Sequence, residues 1–184
     1  KPIGPFYEKE EAERRREQDG WDIVHDANRG WRRVVPSPMP KRVVESSAIR
    51  SLLDAGCVVI AVGGGGIPVI EKSGRLRGVE AVIDKDHASR LLANEIGAEL
   101  LVISTDVEQV ALNYGEEDET RLLALTVADA ETYYEEGHFA PGSMGPKVLA
   151  GIEFLKHGGK EVVITSPESI GRALDGETGT RMTL

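Results

Sequence analysis

From residue 41 onward, apolar runs of strand length alternate with amphipathic helical stretches, and glycines stop several of the helices. Ile49, Leu52 and Leu53 share one helical face, and Gly56 ends it. The continuous β-branched run Cys57 to Val62 then reads as a buried strand. Ala88, Leu91, Leu92 and Ile96 give a second helix, closed by Gly97 and followed by a second buried strand, Leu100 to Ile103. Met144, Val148, Ile152 and Leu155 form another helix face, stopped by Gly158-Gly159, before a buried strand at Val162 to Ile164. Leu122 to Leu125 is a further strand candidate, residues 127–136 and 167–173 read as helices, and 179–183 as a last strand. Val69-Ile70 and Leu76-Arg77, either side of Ser73-Gly74, suit a small hairpin. This alternation predicts an α/β fold: a three-layer sandwich with a largely parallel sheet. Ligands on such sheets bind beyond the strand C-termini, where the Gly- and Asp-rich segments fall.

Residues 1–40 follow other rules. Lys1 to Tyr7 holds two prolines and a glycine and reads as a shaped loop. Residues 8–18 are nearly all charged and lack an apolar stripe, which predicts a solvated helix. Segments 21–26 and 31–35 flank Ala27-Asn28-Arg29-Gly30 and predict a β-hairpin turning at Asn28 to Gly30. Pro36 to Pro40 makes a stiff connector. The expected organisation is a protruding helix-and-hairpin arm, 1–40, and an α/β domain, 41–184.

Composition narrows the function. With 22 Lys+Arg against 31 Asp+Glu, the net charge is −9, unsuited to coating nucleic acid. Aromatic residues are 5% of the chain, too few for a base-stacking platform. The single cysteine, Cys57, excludes an internal disulfide and a Cys-based metal cluster and suits a reducing cytoplasm. No apolar stretch is long enough to span a membrane. His25, His87, His138 and His157 are scattered without metal-ligand spacing, so no protein-held metal is expected.

Three segments carry candidate chemistry. Gly63-Gly64-Gly65-Gly66-Ile67-Pro68 follows a strand, and its glycines can expose backbone N–H groups to an anion. No Gly-Lys-Ser/Thr follows, so it is not a Walker loop, and Pro68 breaks any dinucleotide fingerprint. It equally suits a plain flexible turn. In Asp84-Lys85-Asp86, Asp84 can cap the next helix. Lys85 there opposes the helix dipole at a cost of about 0.3–1 kcal/mol, which a bound anion would reverse. Lys147 raises the same issue behind Pro141-Gly142-Ser143, with Ser143 as N-cap. Two basic helix starts suggest convergence on phosphate, against the simpler reading of two solvated lysines. Thr105-Asp106-Val107 ends a strand and could meet a ribose hydroxyl or merely cap a turn. Tyr114 could face a purine or lie on the surface.

Several segments together resemble carbamate kinase, of the amino acid kinase family. They are Lys1-Pro-Ile-Gly-Pro-Phe-Tyr7, Trp31 to Pro40, Val62-Gly-Gly-Gly-Gly-Ile-Pro-Val69, Val82-Ile-Asp-Lys-Asp86 and His138-Phe-Ala-Pro-Gly-Ser-Met-Gly-Pro-Lys147. The resemblance covers the later part of such an enzyme; the family's opening α/β portion, with its Gly-Gly-Asn loop, has no counterpart here. It implies reversible phosphoryl transfer between carbamoyl phosphate and ADP, giving ATP and carbamate. By resemblance, Lys1, Lys85 and Lys147 form a cationic clamp and Asp86 orients the lysines. Gly64, Gly65 and Gly66 face carbamoyl phosphate. Thr105, Asp106, Val107, Tyr114, Met144 and Gly145 line the nucleotide site, and residues 1–40 act as a lid. The resemblance further implies Mg²⁺ with ADP or ATP, a homodimer, a cytoplasmic location and a place in arginine metabolism. Two other readings are a nucleotide-binding fragment without catalysis and a related family kinase acting on another acceptor.

Overall fold

The computed structural model describes residues 1–26 and 29–184, in two compact units. One unit comprises Lys1–Met39 with Gly66–Asp84, and the other Pro40–Gly65 with Lys85–Leu184.

The first unit holds strand β1 (Pro2–Tyr7), helix α1 (Lys9–Asp19), and strands β2 (Asp22–Asp26) and β3 (Gly30–Val34). The three strands form an antiparallel sheet in the order β1-β3-β2. The segment expected to be a shaped loop, 1–7, is therefore a strand. Its prolines are tolerated because β1 is an edge strand, and its pairing with β3 is interrupted between Ile3 and Tyr7. The β2–β3 hairpin forms as expected, and Ala27 and Asn28 of its anticipated turn lie outside the described residues. Helix α1 has almost no apolar face, and Ala12 is its buried residue. Arg15 bonds both Glu11 and Asp19 one turn away on either side, as the charge spacing allows. Strands β4 (Val69–Lys72) and β5 (Arg75–Gly78) make the expected small hairpin around Ser73-Gly74. The stretch Val79 to Ile83, apolar enough to suggest a strand, forms none.

The second unit contains a mixed sheet in the order β6-β10-β11-β9. It comprises β6 (Leu100–Ser104), β9 (Ala124–Thr126), β10 (Glu161–Thr165) and β11 (Thr180–Thr183). The pairs β6–β10 and β9–β11 are parallel, and β10–β11 is antiparallel. Helices α2 (Ser46–Asp54), α3 (Lys85–Ile96), α4 (Val127–Glu135), α5 (Met144–Lys156) and α6 (Ile170–Leu174) complete it. Val162 and Ile164 join the core formed with Val148, Ile152 and Leu155 of α5. Val163 and Thr165 alternate to the opposite face and are buried as well, so β10 is covered on both sides.

Two strand expectations need correction. The Leu122–Leu125 candidate divides between β8 (Thr120–Leu122) and β9, because β8 leaves the main sheet to pair with β7 (Val110–Leu112). The Cys57 to Val62 run is not a buried strand. Among the described residues it has no ladder partner, and Val58 and Ile60 are 96% and 97% exposed. An apolar run becomes a central strand only when neighbours supply pairing and cover, and this unit supplies neither on that side.

Candidate functional site

Helix α3 starts at Lys85 and α5 at Met144, and the two pack against each other. Asp86 lies in the first turn of α3, and its side chain is 9% exposed. Its two oxygens are divided between two cations. Lys85 Nζ donates to Oδ1 at 2.9 Å, and Lys147 Nζ, from the first turn of α5, donates to Oδ2 at 3.1 Å. The Lys147 side chain is 11% exposed and that of Lys85 is 59% exposed. One carboxylate thus fixes two ammonium groups, one from the preceding residue and one from 61 positions along the chain, the arrangement the sequence could only suggest. Lys1 and Asp84 belong to the first unit, where the Lys1 ammonium pairs with Asp84.

An open groove of about 270 Å³ lies beside Asp86, between the Val62-Gly63-Gly64 turn, the first turn of α3 and Leu101 to Ser104 of β6. Gly64, Gly65 and Gly66 have φ of +64°, +99° and +80°. Nothing stands within 4 Å of a Cβ built on Gly64 or Gly66, so backbone conformation and not space requires glycine there. Val62, a β-branched residue, is also held at φ +47°. Such strain in a side-chain-bearing residue at the rim of a groove is characteristic of functional turns. Ser89, which no sequence motif marks, lines the same groove; its i+4 spacing from Lys85 puts both on one face of α3.

The nucleotide candidates divide between two places. Thr105, Asp106 and Val107 occupy the loop after β6, where the Thr105 hydroxyl donates to Asp106 at 3.0 Å. Tyr114 lies in the β7–β8 turn and is 67% exposed. Met144 and Gly145 open α5. A Cβ on Gly145 would stand 3.1 Å from the Ala140 carbonyl, whose oxygen accepts from the Gly145 N–H. Ser143 occupies the N-cap position of α5, but its side chain makes no capping bond, contrary to expectation. The backbone carbonyl of Ala140 takes the first N–H groups instead.

The sequence pattern of the amino acid kinase family matches residues 14–166, well over half of the chain. This chain belongs to the amino acid kinase family. It is 55% identical over 183 residues to the carbamate kinase of Pyrococcus horikoshii, covering 100% of this chain and 58% of that protein. The carbamate kinase of Thermococcus kodakarensis is 53% identical over 182 residues, again with 58% of its length covered. Among solved structures, the carbamate kinase from Giardia lamblia bound to AMP-PNP superposes with a TM-score of 0.91 at 43% identity. That match covers all of this chain and 58% of the other. The chain therefore spans less than two thirds of the carbamate kinases it matches. Within this family member, Lys85, Asp86 and the glycine turn line one groove, while the Thr105–Val107 loop continues from β6.

Proposed function

We propose that the chain forms the greater part of a carbamate kinase, transferring a phosphoryl group reversibly between carbamoyl phosphate and ADP to give ATP and carbamate. The observation that carries this reading is the Asp86 carboxylate held between Lys85 and Lys147 beside the glycine turn.

Phosphoryl transfer passes through a transition state whose charge spreads over the equatorial oxygens, so positioning and electrostatics supply the catalysis. Asp86 holds the two ammonium groups in place before substrate arrives, which spares reorganisation during the reaction. Lys85, the more exposed of the two, would meet a phosphoryl oxygen while Asp86 holds it, and Lys147 would supply fixed charge behind it. The backbone N–H groups around Gly64 to Gly66 suit the anionic side of carbamoyl phosphate. Lys1 would add a third cation. Thr105 to Val107, Tyr114, Met144 and Gly145 would receive ADP. Mg²⁺ would arrive with the nucleotide, bound through phosphate oxygens and water, and neutralise phosphate charge. Both Asp86 oxygens are engaged by lysines, so this carboxylate serves the ammonium groups and is a poor metal ligand. A homodimer, a cytoplasmic setting and a role in arginine metabolism belong to the same proposal.

A second reading, that the 184 residues alone do not catalyse, is favoured by the uncovered Cys57 to Val62 run. One experiment separates the two. The chain is assayed for ATP formation from ADP and carbamoyl phosphate by itself and after fusion to the remaining portion of the Pyrococcus horikoshii enzyme. The expected result is activity in the fusion, reduced about 100–1,000-fold by Lys147→Ala. A folded fusion that forms no ATP would overturn the kinase reading.

A further inference from the structure

The loop between β6 and β7 presents Thr105, Asp106 and Val107 and is fastened at three points, to the end of β10, to the β10–β11 connection and to the start of β11. At its start the Thr105 N–H donates to the Thr165 carbonyl at 2.9 Å. At its end the Val110 N–H donates to Thr180 Oγ1 at 2.8 Å. Between them, Oε1 of Glu108 accepts from Thr178 Oγ1 at 2.7 Å, Ser169 Oγ at 3.2 Å and Arg172 Nη1 at 3.3 Å. Three donors from separate stretches of one connection converge on a single carboxylate oxygen. The Ser169 residue is 8% exposed, and Arg172 is further steadied by Glu177 at 3.4 Å. The first bond joins two backbone groups that any sequence could supply, and the last needs the Thr180 hydroxyl. From the loop itself, Glu108 supplies the side-chain acceptor, one residue from Val107.

We infer that Glu108 is a positioning residue for the nucleotide: it holds the Thr105–Val107 loop against the β10–β11 connection, so that nucleotide affinity depends on a residue that need not touch the nucleotide. This rests on the proposed nucleotide role of that loop. A charge-assisted hydrogen bond is worth more than a neutral one, and losing the shared acceptor releases all three donors together. The effect should fall on ground-state binding of ADP and not on the phosphoryl-transfer step, since the lysine pair is elsewhere.

The test has two arms. Amide hydrogen exchange on the 184-residue chain compares wild type with Glu108→Ala and Glu108→Gln. Glu108→Ala should speed exchange at Asp106–Gln109 about tenfold or more while leaving β10 and α5 unchanged, with Glu108→Gln intermediate because it keeps an acceptor oxygen. In the fusion enzyme, Glu108→Ala should raise KM for ADP about tenfold, with kcat and KM for carbamoyl phosphate within about twofold. Exchange that is unchanged in the loop, or raised throughout the unit, would overturn the fastening role. A loss in kcat with KM for ADP unchanged would overturn the positioning role. If the wild-type fusion makes no ATP, the kinase reading fails, the role of Glu108 in ADP binding falls with it, and the exchange arm still decides the fastening.

Discussion

Asp86 and Lys147 are both 8% exposed, and each fixes the other's charge. Removing one partner of a buried ion pair costs about 3–5 kcal/mol, because the survivor keeps its desolvation penalty. Asp86→Asn leaves one acceptor oxygen, so the lower end of that range is expected, with a lowered Tm. Lys147→Met should also destabilise, and the double variant Asp86→Asn/Lys147→Met should be more stable than the two single losses predict when added. A thermal double-mutant cycle checks this; strict additivity would mean the pair is not coupled. Glu108 gives a pH prediction at the same scale. Its carboxyl is held below the ordinary carboxylate value, chiefly by the Thr178 hydroxyl, then by Ser169, Arg172 and Arg121, with burial opposing. A lowered native pKa means the ionised form contributes stability above the ordinary value and loses it as pH falls through the native one. The Tm difference between wild type and Glu108→Gln should therefore be steady near neutrality and shrink in acid. A difference that grows in acid would contradict the assignment.

Helix α5 shows how one element couples packing to the site. Its first turn carries Lys147, and its later turns bury Val148, Ile152, Phe154 and Leu155. The helix stops at Gly158-Gly159, where the Gly159 N–H donates to the Phe154 carbonyl at 3.0 Å. A Cβ on Gly159 would stand 2.2 Å from the Phe154 ring, which is fully buried. Gly159→Ala must displace that ring or the strand entry behind it. Overpacking of this kind costs about 1–3 kcal/mol, occasionally more. Chemical denaturation should show that loss, with Gly158→Ala acting through backbone strain alone, since nothing lies within 4 Å of its Cβ position. A Gly159→Ala variant as stable as wild type would show that the Phe154 ring yields freely.

At the scale of the whole molecule, the second unit has an unfinished side. Among the described residues β6 ends the sheet order and pairs with β10 alone, and Val58 and Ile60 are almost wholly exposed. An unpaired edge and bare apolar side chains promote association. The isolated chain should self-associate in light scattering, and Val58→Lys/Ile60→Lys should reduce it. Co-expression with the remaining portion of a carbamate kinase should also give a monodisperse species, if that portion covers the run. A wild-type chain that stays a stable monomer at high concentration would contradict this.

Helix and strand positions were largely legible because their causes are local. Apolar spacing set α2, α3 and α5, glycine set several of their ends, and charge spacing set α1. The hairpins β2–β3 and β4–β5 were legible through their turn residues. Lys85 and Lys147 stand out because cations at helix starts are locally unfavourable and so call for a reason. What the tertiary structure decided was partnership. Pairing depends on what lies alongside, so Cys57 to Val62 could carry every mark of a central strand and still lie bare. β7 and β8 are three residues each and take their form from one another. The fastening of Glu108 depends on donors 61 to 70 positions away, and no local pattern encodes contacts at that range. Sequence by itself determined which segments seek burial and where charge is misplaced unless it is used. Only the folded chain decided which of those demands are met, because burial and ion pairing are properties of neighbours brought together by the fold.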